Sequence, residues 1–438
     1  MKTGTKVKRI LMAAFFLMAL VSVAKGILNG MTYPVDFLYN SFREAIFDHM
    51  YSGPQFPFTF WMIFPLGLLP EIPARAVWIL CNLIFTAMII FVLRKSFFTE
   101  MDITDFTVLI LIMISGGPWR TNLSNGQYNL AAVAAFLLSV YFSERDWDIP
   151  AGILLSMSVF KYQLTVPLAV YYVLRRKYKV IAVTAASLTF SLIATAIWFG
   201  GVYNVTLKQF NESRGLGLGE MGDVDLESIF GLGEYIIIFF ILGVVLLLIF
   251  SFIPGIKRDD TLFIIISLFT AWAFAYQRIY SFFPLIIPLG YSYEKYKDTK
   301  ERIYFIQLIL ALLTTAAFFW SRTLSDSLGI ILERLFFYPA FLLYIIDAFL
   351  PSSDRTVKKS DADYGIPQDN RINPAPACSG EDRMLFGAIS QKFLVKAPSI
   401  NLFRRCLSDS EFSRNKFAYE KGLELRTFER GEKHSVLA

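Results

Sequence analysis

The chain has 438 residues, of which 55% are hydrophobic and 16% aromatic, and its mean hydropathy is +0.50. These values lie outside the range of soluble globular proteins and predict that a lipid bilayer surrounds most of the fold. The net charge of +6 does not indicate a nucleic-acid partner, because most lysines and arginines occur in short clusters between apolar runs. The two histidines and three cysteines lack metal-ligand spacing, which argues against zinc hydrolysis and redox chemistry.

The first apolar run, residues 10–28, follows a basic N-terminus. The small residues Ser22 and Ala24 are typical of a signal-peptide cleavage site, so this run is either a cleaved signal or a retained first span. The membrane-embedded character of the remaining chain favours a retained span. In both cases the N-terminus is predicted to be cytoplasmic.

Further apolar runs follow along the chain, and several are shorter than the roughly 20 residues that a membrane-crossing helix needs. The short runs are predicted to be tilted, extended into their flanks, re-entrant or broken, because irregular backbone at membrane depth has to be buried in protein or line a cavity. The predicted fold class is an all-α polytopic membrane protein with about eleven to thirteen transmembrane or re-entrant helices. The runs are 57–69, 73–93, 106–115, 128–142, 149–160, 164–174, 180–199, 235–252, 262–275, 282–289, 303–320 and 335–350.

Basic residues between the runs predict the orientation. The clusters at 94–95, 145, 175–179, 257–258 and 295–302 all fall on the side of the N-terminus, which the positive-inside rule places in the cytoplasm of a multi-pass cell-membrane protein. The outward segments are polar and aromatic, and the functional site is expected there. Residues 1–350 are the predicted membrane domain, and residues 351–438 are predicted to be a polar cytoplasmic tail that is poorly ordered.

In the first outward segment, residues 29–56, the stretch 32–40 contains one carboxylate, Asp36, between aromatic residues that include Phe37 and Tyr39. Partial desolvation there would raise the basicity of the carboxylate, which makes Asp36 the leading candidate for a general base. The alternative is an ordinary interfacial aspartate in an aromatic belt. Tyr39 is a candidate for contact with a sugar or an acceptor.

The segment 115–129 is rich in glycine and asparagine and is predicted to be a turn that enters a helix at its amide end. Arg120, Gln127 and Asn129 are suited there to an anion or to sugar hydroxyls. A capped inter-helix loop without a ligand is the alternative.

Lys161 is predicted to lie at the tip of a hairpin between two half-length apolar runs. A cation at membrane depth is costly and often functional, which favours an anionic partner such as a lipid phosphate over simple snorkelling. Arg278, at the outer end of a later run, is a second phosphate candidate, with an interfacial anchor as the alternative. Its neighbour Tyr276 is a further candidate for sugar or acceptor contact. The pair Asp223 and Asp225 resembles a weak metal motif.

Together these segments resemble glycosyltransferase family 87, the polyprenol-phosphate-sugar-dependent GT-C membrane enzymes that include mycobacterial mannosyltransferases. The resemblance covers roughly residues 10–179. It depends on the loop with Asp36, the proline-bearing helix that ends at Pro70 with Trp78 beyond it, the turn 125–129, and Gly152 followed by Lys161 and the basic residues 175–177.

The resemblance implies a GT-C-like bundle and an inverting transfer from a polyprenyl-phosphate sugar to a lipid or glycan acceptor at the extracytoplasmic face. The residues fit this chemistry: Asp36 would accept the acceptor's proton, while Lys161, Arg278 or Arg120 would stabilise the phosphate leaving group. A mannose-like hexose or a pentose is the expected sugar. No cofactor is expected, although a divalent metal is the alternative, and membrane lipid is the expected surrounding.

A different class of function is a transporter or flippase of a lipid-linked or anionic solute, because broken helices and intramembrane lysines also line substrate paths. The absence of an inverted repeat in the sequence argues against it. A non-catalytic membrane scaffold is the third hypothesis, and it leaves Lys161 unexplained.

Overall fold

The structure is a computed structural model, and it describes residues 2–32, 34, 37, 39–49, 57–201, 224–230, 235–275, 277–321 and 325–350. All regular secondary structure in these ranges is helical, which confirms the predicted all-α class. The predicted tail, 351–438, lies outside the described residues, so its ordering stays a prediction.

Three tighter or wider helical segments adjoin the α-helices in the described residues. A π-helix, Leu93–Phe97, extends α4, and 3₁₀ turns at Val159–Lys161 and Ile279–Leu285 precede α9 and α15. The α-helices are α1 Lys2–Thr32, α2 Tyr39–Phe47, α3 Pro57–Gly67, α4 Glu71–Val92, α5 Ile103–Ser115, α6 Gly117–Asn125, α7 Asn129–Ser143, α8 Asp148–Ser158, α9 Tyr162–Leu174, α10 Tyr178–Trp198, α11 Leu226–Phe230, α12 Ile236–Phe250, α13 Pro254–Arg258, α14 Asp260–Phe274, α15 Ile286–Thr299, α16 Arg302–Trp320 and α17 Asp326–Phe349.

Five helices in the described part of the chain are long and apolar enough to cross a membrane: Lys8–Thr32, Glu71–Phe97, Tyr178–Trp198, Arg302–Trp320 and Ser327–Phe349. Six shorter apolar helices accompany them, including α7, α8, α9 and α14. Large apolar side chains face outward from these helices; Phe190 of α10 is 75% exposed and Ile197 is 77% exposed. Side chains of this kind on a long apolar helix are suited to lipid contact, and the protein is a polytopic membrane protein.

Close helix packing depends on small residues. A side chain on Gly30 of α1 would place its Cβ 2.7 Å from the Leu123 carbonyl oxygen, so α1 approaches the backbone of α6. A Cβ on Gly152 of α8 would lie 2.6 Å from the Cβ of Val183 in α10. Without a side chain, these positions allow the contacts by which apolar helices associate in lipid.

The predicted basic clusters meet at one end of the bundle, here called the basic end. Lys8 and Lys297 both pair with Asp105 at the start of α5. Arg175, at the end of α9, pairs with Asp260 at the start of α14. These ion pairs join the ends of five helices, and a further pair, Lys177 with Asp146, lies at the same end in the connection before α10.

Candidate functional site

At the opposite end, here called the site end, α6 is tied to the segment that follows α14. Asn122 is fully buried, and its Nδ2 donates both to the Pro118 carbonyl, 2.9 Å away, and to the Tyr280 carbonyl, 2.6 Å away. An amide nitrogen carries two hydrogens, so one side chain satisfies two carbonyls. This contact brings residues 277–281 against α6.

Lys161 reaches the same place from a break between α8 and α9. Its ammonium lies over the ring of Tyr280, 5.5 Å from the ring centre. The Thr165 hydroxyl lies 2.8 Å from the Ser158 carbonyl oxygen and 3.1 Å from that of Lys161, within hydrogen-bond reach of both carbonyls that the break frees. The half-buried Lys161 therefore lies at a helix interruption beside the Tyr280 segment, where sequence predicted a hairpin tip.

The α7–α8 hairpin brings Asn129 to the same level. The Ser139 hydroxyl of α7 donates to the Ala151 carbonyl of α8 at 2.6 Å, which fixes the antiparallel register. Asn129 lies 10 residues before Ser139, and Lys161 lies 10 residues after Ala151. With a rise of about 1.5 Å per residue on each arm, both residues lie near the same end of the hairpin.

The turn between α6 and α7 is fixed by contacts to α4 and to the first outward segment. Gly126 has a left-handed φ of +73° and closes α6, and its carbonyl accepts a hydrogen bond from Trp78 Nε1 at 2.9 Å. A Cβ at Gly126 would lie 2.7 Å from the Cβ of Phe37, so only glycine allows this approach. Residue 37 is therefore packed directly on the turn that precedes Asn129.

Two buried amide side chains at the site end, those of Asn129 and Gln277, have N–H donors without a hydrogen-bond partner in the described structure. Asn129 is 1% exposed, and neither Nδ2 nor Oδ1 has a partner in the described structure. Gln277 is 5% exposed, and its Nε2 has none. A buried unsatisfied polar group costs about 1–3 kcal/mol, which a ligand hydroxyl would recover. Gln277 was not among the predicted site residues, because a neutral amide in the sequence is less distinctive than the charge of Arg278 or the ring of Tyr276 on either side of it.

Of the other predicted site residues, some lie at the site end and some lie outside the described residues. Arg120 is half-buried on α6, and within the described residues its guanidinium makes no hydrogen bond or ion pair. Gln127 is buried beside Asn129, and its backbone amide donates to the Asn122 carbonyl at 2.9 Å. Arg278 is half-buried immediately before the 3₁₀ turn. Asp36 and Tyr276 lie outside the described residues.

Tyr39 lies at the start of α2 and is buried. Its hydroxyl donates to the Leu69 carbonyl at 2.6 Å, and the Arg43 guanidinium donates to that hydroxyl at 3.3 Å. The polar atom that sequence assigned to a sugar thus already joins α2 to the α3–α4 connection.

Metal binding was an alternative at Asp223 and Asp225. No cluster of three or more His, Cys, Asp or Glu that could hold a metal occurs among the residues that the structure describes. Asp225 is buried next to Val224, whose carbonyl accepts from the Tyr338 hydroxyl. Asp223 lies outside the described ranges, so metal independence stays a prediction.

Comparison with protein-family models matches residues 56–281, more than half of the chain, to glycosyltransferase family 87. The chain belongs to glycosyltransferase family 87. The match confirms the predicted family, and it extends well beyond the stretch where the sequence motifs were found. Comparisons with curated proteins and with solved structures gave no match.

Membership of glycosyltransferase family 87 makes the protein a membrane glycosyltransferase. The family match includes the Gly126 turn, Lys161 and the segment 277–281, so the elements that meet at the site end all lie inside it. Asp36 and Tyr39 precede the matched stretch.

Proposed function

We propose that this glycosyltransferase moves a hexose or pentose, with mannose favoured, from a polyprenyl-phosphate donor to a lipid or glycan acceptor, with inversion at the anomeric carbon. The observation that carries the proposal is that a cation, Lys161, and a buried amide without partners, Asn129, lie near the same end of a membrane hairpin. A sugar phosphate presents an anion and hydroxyls, and these two groups are complementary to it.

Three cations at the site end support phosphate as the leaving group. Lys161, Arg120 and Arg278 come from three different elements, and all three are half-buried. In a site of low polarity, fixed positive charge stabilises a developing phosphate charge more strongly than it does in water. Such a leaving group departs without protonation, so the reaction requires a base but no second acid.

The proposed step is a single displacement. The acceptor hydroxyl oxygen forms a bond to the anomeric carbon, and its proton passes to the Asp36 carboxylate. The bond between the anomeric carbon and the phosphate oxygen breaks, and the electron pair leaves with the polyprenyl phosphate. Attack from the face opposite the leaving group inverts the configuration.

The neighbour of Asp36 supports its assignment as the base. Phe37 follows Asp36 directly in the chain, and consecutive Cα atoms are about 3.8 Å apart across a trans peptide bond. Phe37 packs on Gly126, within the turn that leads to Gln127 and Asn129. We assign these two amides, with Tyr39 and Tyr276, to sugar or acceptor contact.

We propose that the basic end faces the cytoplasm of the cell membrane, with both chain termini there, and that transfer occurs at the outer face. The clustering of lysine and arginine at one end supports this orientation. The donor would then be a lipid-linked sugar and not a nucleotide sugar, and no cofactor is required by the displacement.

The test is transfer of radiolabelled sugar from a panel of polyprenyl-phosphate sugars to membrane acceptors. Asp36→Asn is expected to abolish product while donor binding persists. Lys161→Gln is expected to lower turnover about 100-fold or more, because fixed charge at the leaving group is removed, whereas the matched surface variant Lys179→Gln at the basic end keeps full turnover. No product from any donor with folded wild-type protein would contradict glycosyl transfer and favour a transporter.

A further inference from the structure

The first outward segment follows the C-terminal end of α1, where side chains form hydrogen bonds with the free carbonyl groups of the helix. The last four carbonyls of a helix have no partner within it. The Thr32 hydroxyl lies within hydrogen-bond reach of two earlier carbonyls, those of Leu28, 2.9 Å, and Asn29, 3.3 Å. The last two carbonyls, of Met31 and Thr32, accept hydrogen bonds from Nη1 of Arg75 at 2.9 and 3.1 Å.

Arg75 is itself held in place on the first turns of α4. Its Nη2 pairs with Glu71 one helical turn earlier, and its side chain is 19% exposed. The planar guanidinium thus has one edge directed at Glu71 and one nitrogen directed at the end of α1. Its positive charge also complements the partial negative charge at a helix C-terminus.

On the far side of Asp36 the chain is fixed again. The Phe37 amide donates to the Pro34 carbonyl at 3.3 Å, and the Tyr39 hydroxyl donates to the Leu69 carbonyl. The Phe37 ring stacks on Trp78 with ring centres 6.3 Å apart. Described residues that precede and follow Asp36 in the chain are therefore held by contacts with α4 or the connection before it.

These contacts share one supporting unit. Leu69, Arg75 and Trp78 all belong to α4 or to the connection that precedes it. Trp78 also donates to the Gly126 carbonyl, which fixes the turn that carries Gln127. The start of α4 therefore contacts both the end of α1 and the turn that leads to Asn129, whose amide has no partner in the described structure.

We propose that Arg75 is a positioning residue for glycosyl transfer: it fixes the end of α1, where the segment that carries Asp36 begins. This inference rests on the proposed function, in which Asp36 is the general base. Arg75 contacts neither donor nor acceptor; it acts by holding two carbonyls at the start of the segment.

The test compares Arg75→Ala with Arg75→Lys in the full-length protein, with polyprenyl-phosphate mannose as donor. Displacement of a base by about 1 Å can lower turnover about 100-fold, so Arg75→Ala is expected to lose about 10- to 100-fold in kcat with the donor KM unchanged. Arg75→Lys keeps a donor for the carbonyls and is expected to recover most of the turnover.

Arg94 provides a matched control on the same polypeptide run. Its Nη1 donates to two carbonyls, of Phe98 and Met101, where the π-helix that extends α4 ends at the basic end. Arg94→Ala removes the same kind of contact far from the site end and is expected to keep wild-type kcat per folded molecule.

Wild-type kcat in Arg75→Ala overturns the inference, as does an equal loss in Arg94→Ala or a loss of donor binding in parallel with kcat. Asp36→Asn in the same assay separates the two proposals. If Asp36→Asn is inactive and Arg75→Ala is unimpaired, only the role of Arg75 is wrong. If Asp36→Asn retains wild-type transfer, the proposed base is wrong and the positioning role fails with it.

Discussion

At the scale of single residues, the site end departs from the rule that buried polar groups are satisfied. Asn122 and Asn129 are both buried amides close in sequence, yet Asn122 binds two carbonyls and Asn129 binds none within the described structure. In a membrane fold an unsatisfied amide is costly, because lipid offers no hydrogen bonds. The contrast supports a structural role for the Asn122 amide nitrogen, although Asn122 Oδ1 also lacks a partner, and it supports the proposed ligand contact of Asn129.

This contrast predicts opposite effects of one substitution at two positions. Asn129→Leu is expected to leave the unfolding midpoint unchanged or raised, because it removes an unsatisfied amide, and to raise the donor KM about tenfold through loss of hydrogen bonds worth about 1.5 kcal/mol. Asn122→Leu is expected to lower the midpoint, because two buried carbonyls lose their donor. Thermal unfolding and donor titration measure both; an equal loss of stability in the two variants would contradict the assignment.

Glu294, on α15 near the basic end, predicts a pH dependence of stability. Burial, with a smaller contribution from Asp298, raises the pKa of Glu294 to about 7. The folded state therefore binds the proton more tightly than the unfolded chain does, and stability falls as pH rises from the unfolded pKa, about 4.3, through about 7. Glu294→Gln should be more stable than wild type at pH 8, with a smaller difference at pH 5.

Asp102 supplies the control for this measurement. The hydrogen bond from the Thr104 amide lowers the pKa of Asp102. The contribution of Asp102 to the free energy of unfolding is therefore constant above the ordinary aspartate pKa. Asp102→Asn should differ from wild type by the same amount at pH 5 and pH 8. A pH-independent difference for Glu294→Gln would show that Glu294 is already ionised in the folded protein at pH 5.

At the scale of elements, α1 packs closely against α6 because glycine residues of α1, which have no side chain, lie at the contact. Gly26 and Gly30 lie one turn apart and face Leu123 of α6, where an added Cβ would lie within 2.8 Å of Leu123 atoms in both cases. The end of α1 leads directly to the segment with Asp36. Packing of α1 against α6 is therefore linked to the geometry of the site end.

Gly30→Leu should separate α1 from α6. The nearest atom is the Leu123 carbonyl oxygen, which cannot rotate away, so we expect a loss of about 1–3 kcal/mol in unfolding free energy together with lower turnover. Ala24→Leu is the control, because Ala24 is exposed on the same helix and the change should be tolerated. Wild-type stability in Gly30→Leu would contradict the close approach.

At the scale of the whole molecule, the proposed orientation predicts which end impermeant reagents can reach. In a background without native cysteines, Asp48→Cys near the site end should react with an impermeant maleimide on intact cells. Asp146→Cys at the basic end should react only after permeabilisation; both native side chains are exposed. The reverse pattern would place the basic end outside and contradict the proposed face of transfer.

The helical class, the family and the grouping of charge could all be predicted from the amino-acid sequence. Apolar runs and basic clusters are local properties of the chain, so the all-α polytopic fold and the family could be predicted and were confirmed. The broken helix at Lys161 was likewise visible as two half-length runs around a cation.

Which polar side chains already have hydrogen-bond partners within the protein, and which do not, follows only from the folded arrangement of the chain. The Tyr39 hydroxyl donates to the Leu69 carbonyl, a partner distant in sequence, and contact of Tyr39 with a sugar or an acceptor stays a proposal. The sequence did not predict Gln277, because its lack of a partner depends on which groups lie nearby in the fold. It did not predict Arg75 either, because the carbonyls that Arg75 binds belong to another helix. Hydrogen-bond satisfaction is a property of neighbours in space, and periodicity and composition do not encode it.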